Sequence, residues 1–442
     1  MTSYWCEQAW LPGGVTKDVL VEVGTDGRVT AVTPGVAVHQ DARSLRGLVL
    51  PGFANAHSHA FHRALRGRTH ADGGSFWTWR QQMYALAAVI EPTTMYELAR
   101  AAYAEMALAG ITCVGEFHYL HHGPDGRPYD DPNVMGDALR AAATDVGVRL
   151  TLLDACYLSG GIGQPLSGLQ LRFGDGSVEA WAERVGEMTD DATSKVGVAV
   201  HSVRAVPAED LGTLVAAFPD RPLHVHLSEQ PAENAACLEA YGCTPTELLH
   251  GHGVLGPRTT AVHATHLTDE DVRLLGASRT ASCFCPTTER DLADGIGPAR
   301  RLADAGSPLC LGSDQHAVVD PFEEVRGLET HERLSSLERG RFSPTELLAA
   351  ATWQGHAALG WAEAGRIAVG APADLVAVTK DSVRTAGSRP DQILFSATAS
   401  DVTDVVASGH PVVRDGEHLG LGPVGPMLAD VIDALWREVV SR

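Results

Sequence analysis

Lysine is almost missing from this chain of 442 residues: Lys17, Lys195 and Lys380 are the only three, and arginine fills the rest of the 34 basic positions. No basic block offsets the 55 acidic residues, and the formal net charge is −21. Such a surface repels polyanions, so neither nucleic acid nor anionic membrane is expected as a partner. No run of about 18 apolar residues is present, and no transmembrane helix is expected. The first residues, "MTSYWCEQAW", lack a basic segment leading into an apolar one, so no signal peptide is expected. None of the eight cysteines is spaced as CxxC or a zinc knuckle; the close pairs are Cys283/Cys285 and Cys237/Cys243. They read as free thiols in a reducing cytoplasm. Internal repeats and low-complexity segments are also absent.

What is present is a large soluble chain with 44% hydrophobic residues, long enough for one barrel-sized core and a smaller domain. Residues 1–47 alternate like short strands, as in "DVLVEVGTDGRVTAV". From residue 48, eight β-like runs alternate with helical stretches: "GLVLPGF", "ITCVGEFHY", "VRLTLLDACYL", "KVGVAVHSV", "RPLHVHLSE", "TTAVHATHL", "TASCFCP" and "SPLCLGSD". That alternation predicts an α/β fold, a (β/α)8 TIM barrel over 48–361. Strand patterns return after residue 362 and end in a helix from about Met427. Residues 1–47 and 362–442 are therefore expected to form one small β-sandwich domain. The turn-rich stretch 119–133 is expected to serve as part of an active-site wall.

In such barrels the chemistry sits at the C-terminal ends of the strands. His57 and His59 follow the first run, and their i, i+2 spacing turns both imidazoles the same way. His224, His226 and Glu229 end the fifth run, His263 and His266 the sixth, and Asp314 the eighth. Histidines and an aspartate gathered on one barrel face suit a divalent transition metal, with one Zn²⁺ per chain as the default. His224 would lie deeper in the barrel, behind the ligands, and His266 reads as structural. Arg80, Tyr119, His201 and Arg204 also fall at strand ends, and two guanidinium groups suit a small dicarboxylate.

HxH after strand one, histidines after strands five and six and aspartate after strand eight resemble the amidohydrolase superfamily, over nearly the whole chain. "GRIAVGAPADLVAV" is similar to that superfamily's return into its small β-domain. The resemblance implies His57, His59, His226 and Asp314 as metal ligands. His226-Leu-Ser-Glu229 looks like the deaminase branch with one metal, in which Glu229 moves protons and His263 steadies water or oxyanion. Asp314 would serve both metal and water. The binuclear members' modified lysine after strand four has no counterpart, since Lys195 begins that strand and His201 ends it.

"NAHSHAFHRA", "FWTWRQQMY", "FHYLHH", "HSVRAV", "HLSEQ", "VHATH" and "CPTTERDLADGI" are similar to the N-formimino-L-glutamate deiminase family. That likeness implies hydrolysis of N-formimino-L-glutamate to N-formyl-L-glutamate and ammonia, in histidine breakdown. It implies Arg80, Tyr119, His201 and Arg204 as substrate contacts, and His62, three residues past His59, reads as a pocket residue facing the substrate rather than a third ligand. The sequence departs from that pattern at His62, where glutamine is usual. A neutral imidazole, like an amide, offers one donor and one acceptor, so His62 is expected to be neutral. Other deaminases of the branch, acting on a purine, pterin or guanidino compound, and a non-catalytic zinc protein stay open as alternatives. A homodimer is expected because barrels of this kind commonly pair.

Overall fold

A computed structural model describes residues 2–38, 41–69 and 76–442, with Phe76 and Trp77 described by backbone alone. Among the described residues, sixteen strands form two eight-stranded sheets. The first sheet takes β1 (Thr2–Leu11), β2 (Gly14–Val23), β3 (Val29–Thr33) and β4 (Arg43–Pro51) from one end of the chain. The second is the barrel sheet: β5 (Phe53–Ser58), β6 (Ile111–His118), β7 (Arg149–Cys156), β8 (Ser194–Val200), β9 (Leu223–Leu227), β10 (Thr259–His263), β11 (Ala281–Phe284) and β12 (Leu309–Leu311). The first sheet is completed by β13 (Leu375–Val378), β14 (Val402–Ala407), β15 (His410–Arg414) and β16 (Glu417–His418). The barrel strands pair in sequence order, all in parallel. Most are buried along their whole length, which is why their sequences are runs of Val, Leu and Ala without strict alternation. The TIM barrel expected from the alternation is the fold observed.

The barrel closes between its first and last strands. Ser58 pairs with Asp314, the His57 carbonyl accepts from the Asp314 amide at 3.0 Å, and the His59 amide donates to the Asp314 carbonyl at 3.1 Å. The floor is the helix Trp353–Ala358 with Leu359 behind it. Gly115 makes room for this plug, since a Cβ there would stand 2.3 Å from Leu359 Cδ2. Around the barrel, helices start where the sequence puts Ser or Thr before Pro and Glu. In "TPTELL" and "SPTELL", Thr244 and Ser343 accept from the amides of Glu247 and Glu346, whose carboxylates bond back.

The terminal sheet runs β16-β15-β14-β13-β4-β1-β2-β3 and encloses its own core of Tyr4, Cys6, Val19, Val21, Leu45 and Leu375. It folds over on itself, so that Tyr4 Oη donates to the Gly409 carbonyl at 3.0 Å. Residues 48–51, read from sequence as the barrel's first strand, belong instead to β4, paired with β1 and β13. The chain passes from one sheet to the other at Gly52, where a Cβ would meet Thr112 Oγ1 at 2.3 Å.

A buried ion pair joins the two bodies. Arg149 at the start of β7 grips Asp374, just before β13, through two bonds of 3.0 and 2.5 Å. Both side chains are buried, and Asp374 also accepts from the Ser408 amide. Replacing Arg149 with methionine should therefore cost about 3–5 kcal/mol, because it strands the carboxylate. Adding Asp374→Asn should recover part of that, since the amide still accepts from Ser408. Urea unfolding measures both, and a double variant no more stable than the single one would contradict the account.

Candidate metal centre and its cavity

His57 lies within the end of β5, and His59 is the first residue beyond it. Their rings stand edge to face with centroids 4.7 Å apart. His57 Nε2 and His59 Nε2 each lie 3.4 Å from Asp314 Oδ1, and His57 Nε2 lies 3.1 Å from His226 Nε2. Two ligands of a tetrahedral ion at 2.0–2.1 Å would stand about 3.3 Å apart, so these spacings fit one small cation. His57, His226 and His263 form a second overlapping group of possible ligand atoms.

The far sides of the rings fix which nitrogen is offered. His59 Nδ1 faces the Phe117 carbonyl at 2.8 Å, and His226 Nδ1 faces the His201 carbonyl at 2.9 Å. A nitrogen that donates to a carbonyl carries the proton, so in both rings Nε2 keeps a lone pair aimed at the cluster. The His59 Nε2 lone pair stands 3.4 Å from Asp314 Oδ1, and two such electron-rich atoms repel unless a cation lies between them, so in this respect the residues fit a metal. Burial pushes His57 down to about 3 and lowers His59 and His226, so all three are neutral donors at pH 7. Burial alone would raise Asp314, but His57, His59 and His263 hold it far below the usual carboxylate range.

Glu229 follows His226 by one turn of chain that passes through Ser228 at φ 49°. Its Oε1 is 3.9 Å from His263 Nε2, and Asp314 Oδ2 is 3.9 Å from the same nitrogen. Burial pushes Glu229 up, against His263 and Arg204. Burial would lower His263, but the carboxylates of Glu229, Glu289 and Asp314 outweigh it and lift the imidazole to about 10. This surplus of negative charge is what a bound cation would relieve. His263, Ala264 and Asp314 all hold left-handed backbone, the kind of strain that persists where surrounding contacts fix a site.

Arg80, Tyr119, His201, Arg204 and His62 line one cavity with His59, His226, Glu229, His263 and Asp314. Every site residue expected from the sequence thus borders the cavity or the cluster beneath it. Arg80 donates twice to Tyr84 Oη, at 2.9 and 2.6 Å. Arg204 Nε donates to Glu233 at 2.7 Å. His62 Nε2 meets Tyr119 Oη at 2.9 Å.

Some features differ from expectation. Of the stretch 119–133, Tyr119 alone lines the cavity; Tyr157 and Phe173 after β7 form the wall instead. Tyr157 follows a strand end as Tyr119 does, and that placement was its only signal. Tyr84, Glu233 and Glu289 were also missed, since one aromatic or acid on a helix looks like any other. His224 does lie deeper, but its Nε2 meets the Ala358 carbonyl on the floor at 3.1 Å and supports no ligand. His266 meets the Asp294 carbonyl at 2.8 Å and is structural, as expected. His118, His121 and Asp154 form another compact group, yet Arg184 and Trp181 already occupy both Asp154 oxygens.

A profile described as the amidohydrolase family matches residues 48–412. The chain is 37% identical to formimidoylglutamate deiminase of Pseudomonas aeruginosa, over 95% of this chain and 96% of that one. A crystal structure of an amidohydrolase from Brucella melitensis superposes with TM-score 0.91 and 31% identity, covering 99% of this chain and 100% of that one. An adenosine deaminase from Xanthomonas campestris, crystallised with bound zinc, superposes with TM-score 0.86 and 25% identity, covering 100% of this chain and 99% of that one.

Burial holds His62 well below the ordinary histidine range, so its imidazole stays neutral as pH falls to 6. An NMR titration of His62 from pH 8 to about 6 should show no protonation step. An imidazolium at pH 7 would overturn the assignment.

Proposed function

The chain belongs to the amidohydrolase family, and on that premise we propose that it hydrolyses N-formimino-L-glutamate to N-formyl-L-glutamate and ammonia. The observation that carries the substrate is the pair of arginines, Arg204 and Arg80, in one cavity with Glu229 and the His/Asp cluster. Two guanidinium groups match two carboxylates, and each offers a forked donor edge. Arg204 stands 3.8 Å from Glu229, so it takes the carboxylate nearer the reacting carbon. Arg80 takes the farther one, with Tyr84 bracing it. His62, Tyr119 and His201 complete the contacts around the formimino group.

His57, His59, His226 and Asp314 would hold one zinc ion. Zinc bound there would supply the Lewis acidity that makes water a nucleophile near neutral pH. Glu229 takes a proton from the attacking water, whose oxygen bonds to the formimino carbon. Its raised proton affinity lets it keep that proton until the departing nitrogen needs it. The formimino group reacts as its amidinium, so the one proton from Glu229 turns the departing nitrogen into ammonia; the carbon–nitrogen bond breaks as the hydroxyl becomes the formyl carbonyl, and the hydroxyl proton passes back to Glu229. His263 lies between Glu229 and Asp314 and donates to the oxygen as charge builds on it.

The aromatic wall of Trp79, Tyr119, Tyr157 and Phe173 would also stack a flat heterocycle, so the test uses a panel. Ammonia release from N-formimino-L-glutamate should far exceed that from a purine, a pterin or a guanidino acid. Glu229→Gln should lower kcat by about 10²–10⁴-fold and leave metal content unchanged. A purine preference, or near-wild-type turnover by that variant, would refute the reading.

A further inference from the structure

We propose that Glu233 is a positioning residue that holds Arg204 toward the substrate and away from Glu229. This rests on the substrate reading above. Glu233 lies in the first turn of the helix Pro231–Tyr241 and is 1% exposed. One carboxylate oxygen accepts from Arg204 Nε at 2.7 Å, and the other accepts from the Ser228 amide at 2.8 Å. It therefore joins the arginine at the end of β8 to the left-handed turn that carries Glu229.

The geometry leaves Arg204 a choice of two carboxylates. Glu233 takes the Nε side at 2.7 Å, while Glu229 Oε2 stands 3.8 Å from a terminal nitrogen. With Nε tied, the two terminal nitrogens form an edge at the cavity wall, the edge that grips a carboxylate in a fork. Without Glu233, Glu229 becomes the nearest anion. In a buried site that attraction is strong, and the pairing would remove the arginine from the substrate and the base from the reaction together.

The position needs a carboxylate. Both partners of Glu233 are N–H donors, so it must offer two acceptors. Glutamine offers one acceptor and one donor, and its NH₂ would face an N–H. A first-turn glutamate is also favourable for any helix, so loss of stability alone would not reveal this role.

The discriminating experiment compares two substrates in the metal-loaded enzyme: N-formimino-L-glutamate and the N-formimino derivative of 4-aminobutyrate, which lacks the nearer carboxylate. Glu233→Gln should raise KM for the first by at least about tenfold and for the second by less than about twofold, while kcat falls for both by one common factor. Glu233→Asp keeps two acceptors on a shorter stem and should give an intermediate KM shift. It decides the matter by the same ratio if the glutamine variant does not fold. Equal KM shifts for the two substrates, or none, would overturn the proposal. If the wild-type enzyme leaves N-formimino-L-glutamate untouched, the substrate reading alone fails. The role of Glu233 is then read from crystals of the variant: Arg204 turned onto Glu229 supports it, and Arg204 unmoved overturns it.

Discussion

Barrel closure and assembly of the metal cluster are the same event. The backbone bonds that join β5 to the segment after β12 run from His57 and His59 to Asp314. At that seam the imidazoles of His57 and His59 each reach Asp314 Oδ1 at 3.4 Å. A ring of parallel strands has one position where its first and last members meet, and here it carries three of the four members of the donor set. A change that slipped this register by one residue would turn the histidines to the other face of the strand. The site's precision thus comes from backbone pairing, with the side chains following.

The electrostatics continue from that seam. The neutral imidazoles of His57, His59 and His226 face carboxylates among largely buried side chains. Three acids surround His263, and the rings of His57 and His226 meet at 3.1 Å. The neighbouring strands supply the constraints that keep this arrangement from relaxing. The carbonyls of Phe117 and His201 each fix one imidazole, so β6 and the residue after β8 aim ligands that belong to the segment just past β5 and to β9.

Much of this was legible in the sequence because strand ends can be located from alternation, and few residue types bind a metal. His57, His59, His226, His263 and Asp314 stand out for both reasons at once. The sheet-to-barrel boundary was less legible. "GLVLPGF" is one apolar run, and burial patterns alone cannot divide it between two sheets; Gly52 marks the division only once Thr112 and Asp374 are known to crowd it. Residue spacing showed that His224 lies beneath His226, but not that the floor helix returns to meet it from 134 positions away. Tyr84 and Glu233 act through other side chains, and no local pattern distinguishes them from ordinary helix residues.

The cavity wall has a different origin from the donor set. Met83 and Tyr84 come from the helix Phe76–Ala87, and Tyr157 and Phe173 come from the long connection after β7. Neither segment carries a member of the His/Asp cluster, and neither takes part in the seam. The molecule therefore keeps part of its cavity wall, Arg80 and Tyr84 included, on stretches of chain apart from its donor set. Those two connections could be exchanged, by drift or by design, while the strands beneath them stay untouched. That portion of the wall is the interchangeable part of this protein, and the donor set beneath it is the fixed one.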